Sequence, residues 1–248
     1  MLKSILNTLK QLKHVFSNRS FKKRVLPLFQ NKKGIEIGGP SKIFSSALPL
    51  YGVAETIDGC NFSNYTVWEG SILAGQNFEY YPNKKGYQYI GEASDLKNIQ
   101  SETYDFLLAS HCLEHCANSL RTVKEWLRVV KPGGYLLLIL PDKRFTFDHE
   151  RSITSFEHLL SDYRNDVDEK DLTHLNEILE FHDLAMDKPA GSPKEFKERS
   201  LKNYENRCLH HHVFDFQLLK EVYSFLNIEV VSTQFIKPYN QIIVGIKK

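Results

Sequence analysis

Apolar positions along this chain follow two rhythms. Short, nearly unbroken apolar runs occur at residues 34–37, 53–57, 87–90, 104–109 and 135–140. Each predicts a strand, and the continuous ones predict strands buried on both faces. Between several of them, apolar residues recur at helical spacing. The clearest set is Leu113, Leu120, Val123, Leu127 and Val130, which stops before Pro132-Gly133-Gly134. Strands alternating with helices predict a parallel sheet covered on both sides. Toward the end, 228–231 and 241–246 predict two more strands, joined through a Pro-Tyr-Asn turn.

Two regions depart from that alternation. In residues 2–16, Leu2, Ile5, Leu6, Leu9, Leu12, Val15 and Phe16 share one helical face, with Lys3, Lys10, Lys13 and His14 elsewhere. Arg19, Lys22, Lys23 and Arg24 extend the basic character, and residues 1–33 contain no acid. A basic amphipathic helix suits an anionic membrane surface. Packing over the domain edge is the alternative and is slightly favoured, since one apolar stripe serves either purpose. Residues 142–209 are rich in charge and histidine, carry Pro189, Gly191 and Pro193, and show helical patches. They predict an insertion after the fifth strand that covers a site.

The expected organisation is therefore a basic helical segment over 1–30, a core over 31–141, the insertion over 142–209, and a closing helix and hairpin over 210–248. A length of 248 residues, 42% hydrophobic and 25% charged, suits one α/β domain with an insertion. A formal charge of +2 gives no footing for a nucleic-acid partner. No apolar run is long enough to cross a bilayer, and no secretory signal is visible at the amino terminus. Cys60, Cys112, Cys116 and Cys208 show neither a metal-type pair nor a disulfide framework. Reduced thiols in a cytoplasmic protein are expected, with the basic helix allowing attachment to the inner face of the membrane. Oligomeric state is not legible.

Candidate chemistry sits at the carboxyl ends of the strands, where ligands bind in such sheets. Glu36-Ile37-Gly38-Gly39-Pro40-Ser41 is a strand, an acid and a glycine turn. Asp58 follows the second strand and can accept from vicinal ribose hydroxyls or cap the next turn. Gly91-Glu92-Ala93-Ser94-Asp95 follows the third, and Ser110-His111-Cys112-Leu113-Glu114-His115 the fourth. His111 and His115, four apart, also suit a metal, but no separate metal signature accompanies them and none is expected.

With Lys131-Pro-Gly-Gly and the Leu-Glu-His segment, these motifs resemble the cofactor half of class I S-adenosylmethionine (SAM) methyltransferases of the type 11 kind. The resemblance spans most of 31–140 plus the carboxyl end. It implies a Rossmann-like, seven-stranded, mostly parallel α/β sheet closed by an antiparallel hairpin, with helices on both faces and a lid after the fifth strand. SAM is then the cofactor. Gly38 and Gly39 underlie its methionine part, with Glu36 orienting that loop or the amino group. Asp58 takes the ribose, Glu92 and Ala93 the adenine, and Ser110, His111 and His115 face the cofactor. Asp95 is the alternative to Glu92 as the adenine acceptor, or else a helix cap.

A second resemblance, over 101–164, is to methyltransferases of bacterial surface-glycan and lipopolysaccharide biosynthesis. It implies O-methylation of a sugar hydroxyl in a polysaccharide or its precursor. Arg144, Arg151 and Thr154 are then acceptor-binding candidates, and His212, His158 and Asp148 candidate bases. Of the run His210-His211-His212, each member has a cap or core role as an equal alternative. A small metabolite or lipid acceptor is the competing reading, as is a non-catalytic module that keeps the fold. A nicotinamide oxidoreductase is disfavoured by the missing Gly-x-Gly-x-x-Gly.

Overall fold

The computed structural model describes residues 15–248. Helix α1 (15–25) leads into β1 (Lys33–Ile37), α2 (Leu50–Val53) and β2 (Thr56–Asn61). A small ribbon, β3 (Tyr65–Thr66) with β4 (Gly70–Ser71), precedes β5 (Gly75–Tyr81) and β6 (Lys84–Ile90). Then come β7 (Tyr104–Ser110), α3 (Ser119–Val129) and β8 (Val130–Pro141). The insertion contributes α4 (Phe156–Arg164), α5 (Leu175–Phe181), α6 (Pro193–Leu201) and α7 (Asn203–Asn206). The chain closes with α8 (Phe216–Phe225), β9 (Ile228–Ile236) and β10 (Asn240–Lys247).

The main sheet runs β5-β6-β2-β1-β7-β8-β10-β9, eight strands against the seven expected. The seven anticipated strands are all present, and β10 lies antiparallel beside β8, the fifth of them. The additional strand is β5, antiparallel to β6. Only Phe78 and Tyr80 point inward from it, so its apolar signal is too sparse to stand out from a loop. Pro82 and Asn83 join the two strands, and Asn83 has φ of 61°, as the second central position of a type II turn requires.

Burial explains the central strands. Four of the five β1 residues are buried, and in β7 every residue but Asp105 is. Helix α3 begins where the Asn118 side chain accepts from Arg121 N at 3.1 Å. It buries Leu120, Val123, Trp126 and Leu127 against one sheet face together with α8. The helix is shorter than its apolar pattern suggests, because Leu113 belongs to a separate turn and Val130 opens β8.

The other face is covered by Phe21 and Val25 of α1, with Phe29, Phe44 and Tyr51. That part of the basic segment therefore packs on the domain. The amphipathic helix expected over 2–16 falls almost wholly outside the described residues. Within those residues, no helix is long and apolar enough to cross a membrane. The insertion has a small core of its own, Ile178, Ala190, Phe196 and Leu209.

Strand order turns between β1 and β7: β2 and β6 extend one way, β8 the other. All five are parallel, so the loops after Ile37, Asn61, Ile90, Ser110 and Pro141 gather at one end. A crevice at such a turning point is where this architecture holds ligands.

Candidate functional site

Two adjoining cavities occupy that end. The first, of about 540 Å³, is lined by the turn after β1 (Gly38), by Asn61, by Glu92 and Ala93, and by Ser110, His111, Cys112 and His115. The second, of about 630 Å³, lies under the insertion and shares Trp68, His111, His115 and Tyr239 with the first.

The turn after β1 is built around a buried carboxyl. Glu36 is fully buried and accepts from Ser41 N at 3.0 Å and from the Tyr51 hydroxyl. Burial pushes its pKa up to about 7, against the pull of these hydrogen bonds. Of the two roles anticipated for Glu36, the structure displays loop anchoring. A Cβ on Gly39 would sit 2.2 Å from the Glu36 carboxyl carbon, so only glycine lets the loop close over it. Gly38, with φ of 78°, lines the cavity directly, whereas Gly39 supports it from behind.

Asp58 is not at the cavity. It lies within β2 rather than at its end, accepting from Tyr87 N and the Tyr104 hydroxyl, each at 2.8 Å. The strand begins at Thr56 and runs four residues beyond the end of its apolar pattern, to Asn61. Asn61 takes the strand-end position in the cavity, its Nδ2 donating to Gly39 C=O at 3.1 Å. Glu92 and Ala93 do line the cavity, and Glu92 accepts from Arg207 Nη2 at 2.6 Å. Asp95 does not line it.

Ser110, His111 and His115 also line the cavity. His111 adopts φ of 51°, its Nε2 2.9 Å from Asn240 Oδ1. His115 Nδ1 faces the Leu209 carbonyl at 3.0 Å and so carries its proton, leaving Nε2 as an acceptor. Burial, reinforced by His210, pushes the His115 pKa down to about 4. The two rings thus take separate protein partners, Asn240 for His111 and the Leu209 carbonyl for His115. Between them Glu114 is buried, with no hydrogen bond to either carboxylate oxygen. Burial opposes its ionisation, but His111, His115 and His210 outweigh that and hold it below the usual carboxylate range.

This chamber fits the cofactor implied by sequence. Glu69, Glu92 and Glu169 in its wall suit a ligand bearing sulfonium and ammonium charge, and Arg207 braces Glu92 and Glu169 at 2.6 and 3.0 Å. The volume lies in the range of nucleotide-sized sites.

The acceptor assignments from sequence are mostly displaced. Arg151 is 1% exposed. It binds Asp148 at 3.0 Å, the backbone oxygens of His210 and His211, and Glu177, so its donors are turned to the protein interior. Thr154 clasps Val213 through two bonds of 3.0 Å. Arg144 points to solvent and pairs with Asp142. His158 and His212 line neither cavity, and they group with Asp162 and His174 behind the site. Asp148 is buried and serves His210. Burial would raise its pKa, but His210 and Arg151 prevail and hold it far below the usual range, so it is no base.

What these corrections leave at the second cavity is His210. Its Nδ1 is 2.5 Å from Asp148 Oδ2, and its ring packs edge-on to His115, with centroids 4.6 Å apart. The run of three histidines does diverge: His211 turns to Asn203 at 3.0 Å, and His212 turns to Ser119 and Asp162. Aromatic Trp68, Phe145, Phe147 and Tyr239 complete the wall with Thr146, Asp187 and Arg199. Sequence reading passed over Asn61, Trp68, Arg199, Arg207 and Tyr239. Only Asn61 had a usable signal, since it follows the second apolar run closely enough to end its strand.

A family model described as a methyltransferase domain matches residues 10–206. A polyketide synthase-nonribosomal peptide synthetase of Aspergillus clavatus is 30% identical over 112 residues, 43% of this chain and 2% of that protein. The chain thus spans only a small fraction of that relative's length. Among solved structures, a protein from Pyrococcus horikoshii OT3 aligns with a TM-score of 0.53 at 13% identity, over 96% of this chain and 91% of its own. An S-adenosylmethionine-dependent methyltransferase from Mesorhizobium loti aligns with a TM-score of 0.50 at 9% identity, over 92% and 96%. At these identities the likeness is one of fold.

Proposed function

Because the chain belongs to the methyltransferase-domain family, we propose that it transfers the methyl group of SAM to a hydroxyl of a sugar, in a surface polysaccharide or its precursor. SAM, when bound, supplies a methyl group on a sulfonium leaving group. Its place is the first cavity, with Gly38 beneath the methionine part, Asn61 for the ribose, and Glu92 and Ala93 for the adenine. The acceptor occupies the second cavity.

The observation that carries this reading is the His210–Asp148 pair at the wall of the second cavity. In the tautomer whose Nδ1–H donates to Asp148, His210 offers its Nε2 lone pair as the proton acceptor. A hydroxyl is a poor nucleophile until its proton leaves, and His210 is positioned to take it. Asp148 then stabilises the imidazolium, and Arg151 keeps Asp148 ionised. Neutral His115 offers Nε2 to orient the acceptor without competing for charge. Aromatic faces (Trp68, Phe147, Tyr239) between polar groups suit a ring whose two sides differ in polarity. Enclosure by the insertion keeps water from competing as acceptor.

The test is incubation with labelled SAM and a panel of sugar nucleotides and lipid-linked oligosaccharides. Label on a sugar hydroxyl, lost in His210→Ala, supports the reading. Label on a lipid or small-metabolite acceptor with no sugar labelled overturns the acceptor class. SAM binding by calorimetry with no transfer to any acceptor favours a binding module.

A further inference from the structure

Behind the second cavity, four side chains from three separate segments turn their donor atoms on one point. His158 and Asp162 stand one turn apart on α4, His174 precedes α5, and His212 lies on the segment returning to α8. His158 Nε2 and His174 Nε2 are 3.0 Å apart. Asp162 Oδ2 is 2.9 Å from His212 Nε2 and 3.3 Å from His158 Nε2. All four donor atoms lie within 4.8 Å of one another.

We propose that His158, Asp162, His174 and His212 form a tetrahedral site for a divalent transition-metal ion, zinc in the first instance. Zinc bonds of 2.0–2.1 Å to nitrogen and oxygen give ligand-to-ligand edges of about 3.3–3.4 Å. The three separations above fall within a few tenths of that edge. The facing ring nitrogens of His158 and His174 share at most one proton, so at least one of them presents a lone pair within the group.

The surroundings match what metal-binding imidazoles need. His212 Nδ1 is held by Ser119 Oγ at 3.1 Å, and His174 Nδ1 lies 3.8 Å from Glu177 Oε2, so their outer nitrogens are steered by polar partners. His212 is fully enclosed while the His158 side chain is 40% exposed, so the ion has an entry path.

Three imidazoles and a carboxylate fill four positions, which is the closed pattern of a structural site. The ion would tie the insertion to the segment that carries His210, two residues before His212. Glu114, His115 and His210 form a smaller grouping at the cavity. It offers three donors rather than four.

The test uses the full chain purified without a polyhistidine tag, stripped with chelator, reloaded with zinc, desalted and assayed for bound metal. About one ion per chain is expected to remain, with a higher melting temperature than the stripped protein. His158→Gln, at the most exposed ligand, should lose the ion and the thermal shift while keeping the parent circular dichroism. His174→Cys supplies an alternative zinc ligand and should retain both. Cobalt loading should give the intense visible bands of four-coordinate cobalt, absent in His158→Gln. The proposal is overturned if the stripped parent takes up no ion, if His158→Gln and His174→Ala both retain it, or if retention is lost in His210→Ala but not in His158→Gln.

Discussion

Asp148 Oδ2 and His210 Nδ1 lie 2.5 Å apart across a sequence separation of 62 residues. Asp148 follows the strand that ends at Pro141, and His210 lies beyond the insertion. The pair therefore exists only because the insertion folds back. Arg151 crosses behind it, bonding Asp148 and the His210 backbone together.

His210→Ala should lower methyl transfer by roughly 10²–10⁴, the usual contribution of a general base. SAM affinity by calorimetry should stay near the parent value, since Asp148 and His210 lie outside the cofactor chamber. Parent-like turnover of the true acceptor would place the base elsewhere.

The roles of Asp58 and Asn61 should separate. Asp58→Ala leaves the buried Tyr104 hydroxyl without its acceptor, at a cost of about 1–3 kcal/mol in stability. Its effect on SAM affinity should be slight. Asn61→Ala should do the reverse, weakening SAM by several-fold with a smaller change in stability. Denaturant melts and titration calorimetry on both variants read the crossover, and a large loss of affinity in Asp58→Ala alone would defeat it.

Arg151→Ala should behave as a folding lesion. Removing one partner of a buried ion pair typically costs about 3–5 kcal/mol, and here Asp148 would keep His210 but lose its guanidinium. A fall in the urea midpoint is expected. A variant of unchanged stability but raised KM for acceptor would instead restore Arg151 to substrate binding.

Glu36 should make stability fall with rising pH. Its folded pKa of about 7 exceeds the 4.5 of an ordinary solvated glutamate. Between these limits the folded chain holds the proton that the unfolded chain releases, so the contribution is full below about 4.5 and lost as pH passes 7. The span corresponds to a few kcal/mol, at about 1.4 kcal/mol per unit. Glu36→Gln should flatten this decline relative to the parent in urea melts at pH 5 and 7.5. Parallel profiles would mean that Glu36 is ionised throughout.

The sequence by itself determined the parts of this protein that are written locally. Runs such as Phe106-Leu107-Leu108-Ala109 suit a strand enclosed on both faces, because such a strand is apolar at every position rather than at alternate ones. Gly38 and Gly39, the Lys131-Pro-Gly-Gly break and the Leu-Glu-His segment were likewise readable, and with them the fold and the cofactor chamber. Strand ends were less readable. The second strand runs on through Gly59 and Cys60, which carry little apolar signal, and that extension moved the strand-end place from Asp58 to Asn61. The eighth strand was hidden because only Phe78 and Tyr80 face inward.

The tertiary structure alone decided which ionisable groups meet. His158, His210 and His212 are equivalent in a sequence, each a histidine in a charged stretch. A side chain's direction and burial depend on contacts tens of residues away: Asp148 selects His210, whereas Asp162 and Ser119 draw His212 to the other side. Arg151 looks like a solvent-facing cation until Asp148, Glu177 and two carbonyls close around it. Such pairings follow from how the insertion packs, and packing is a property of the whole chain rather than of any window along it.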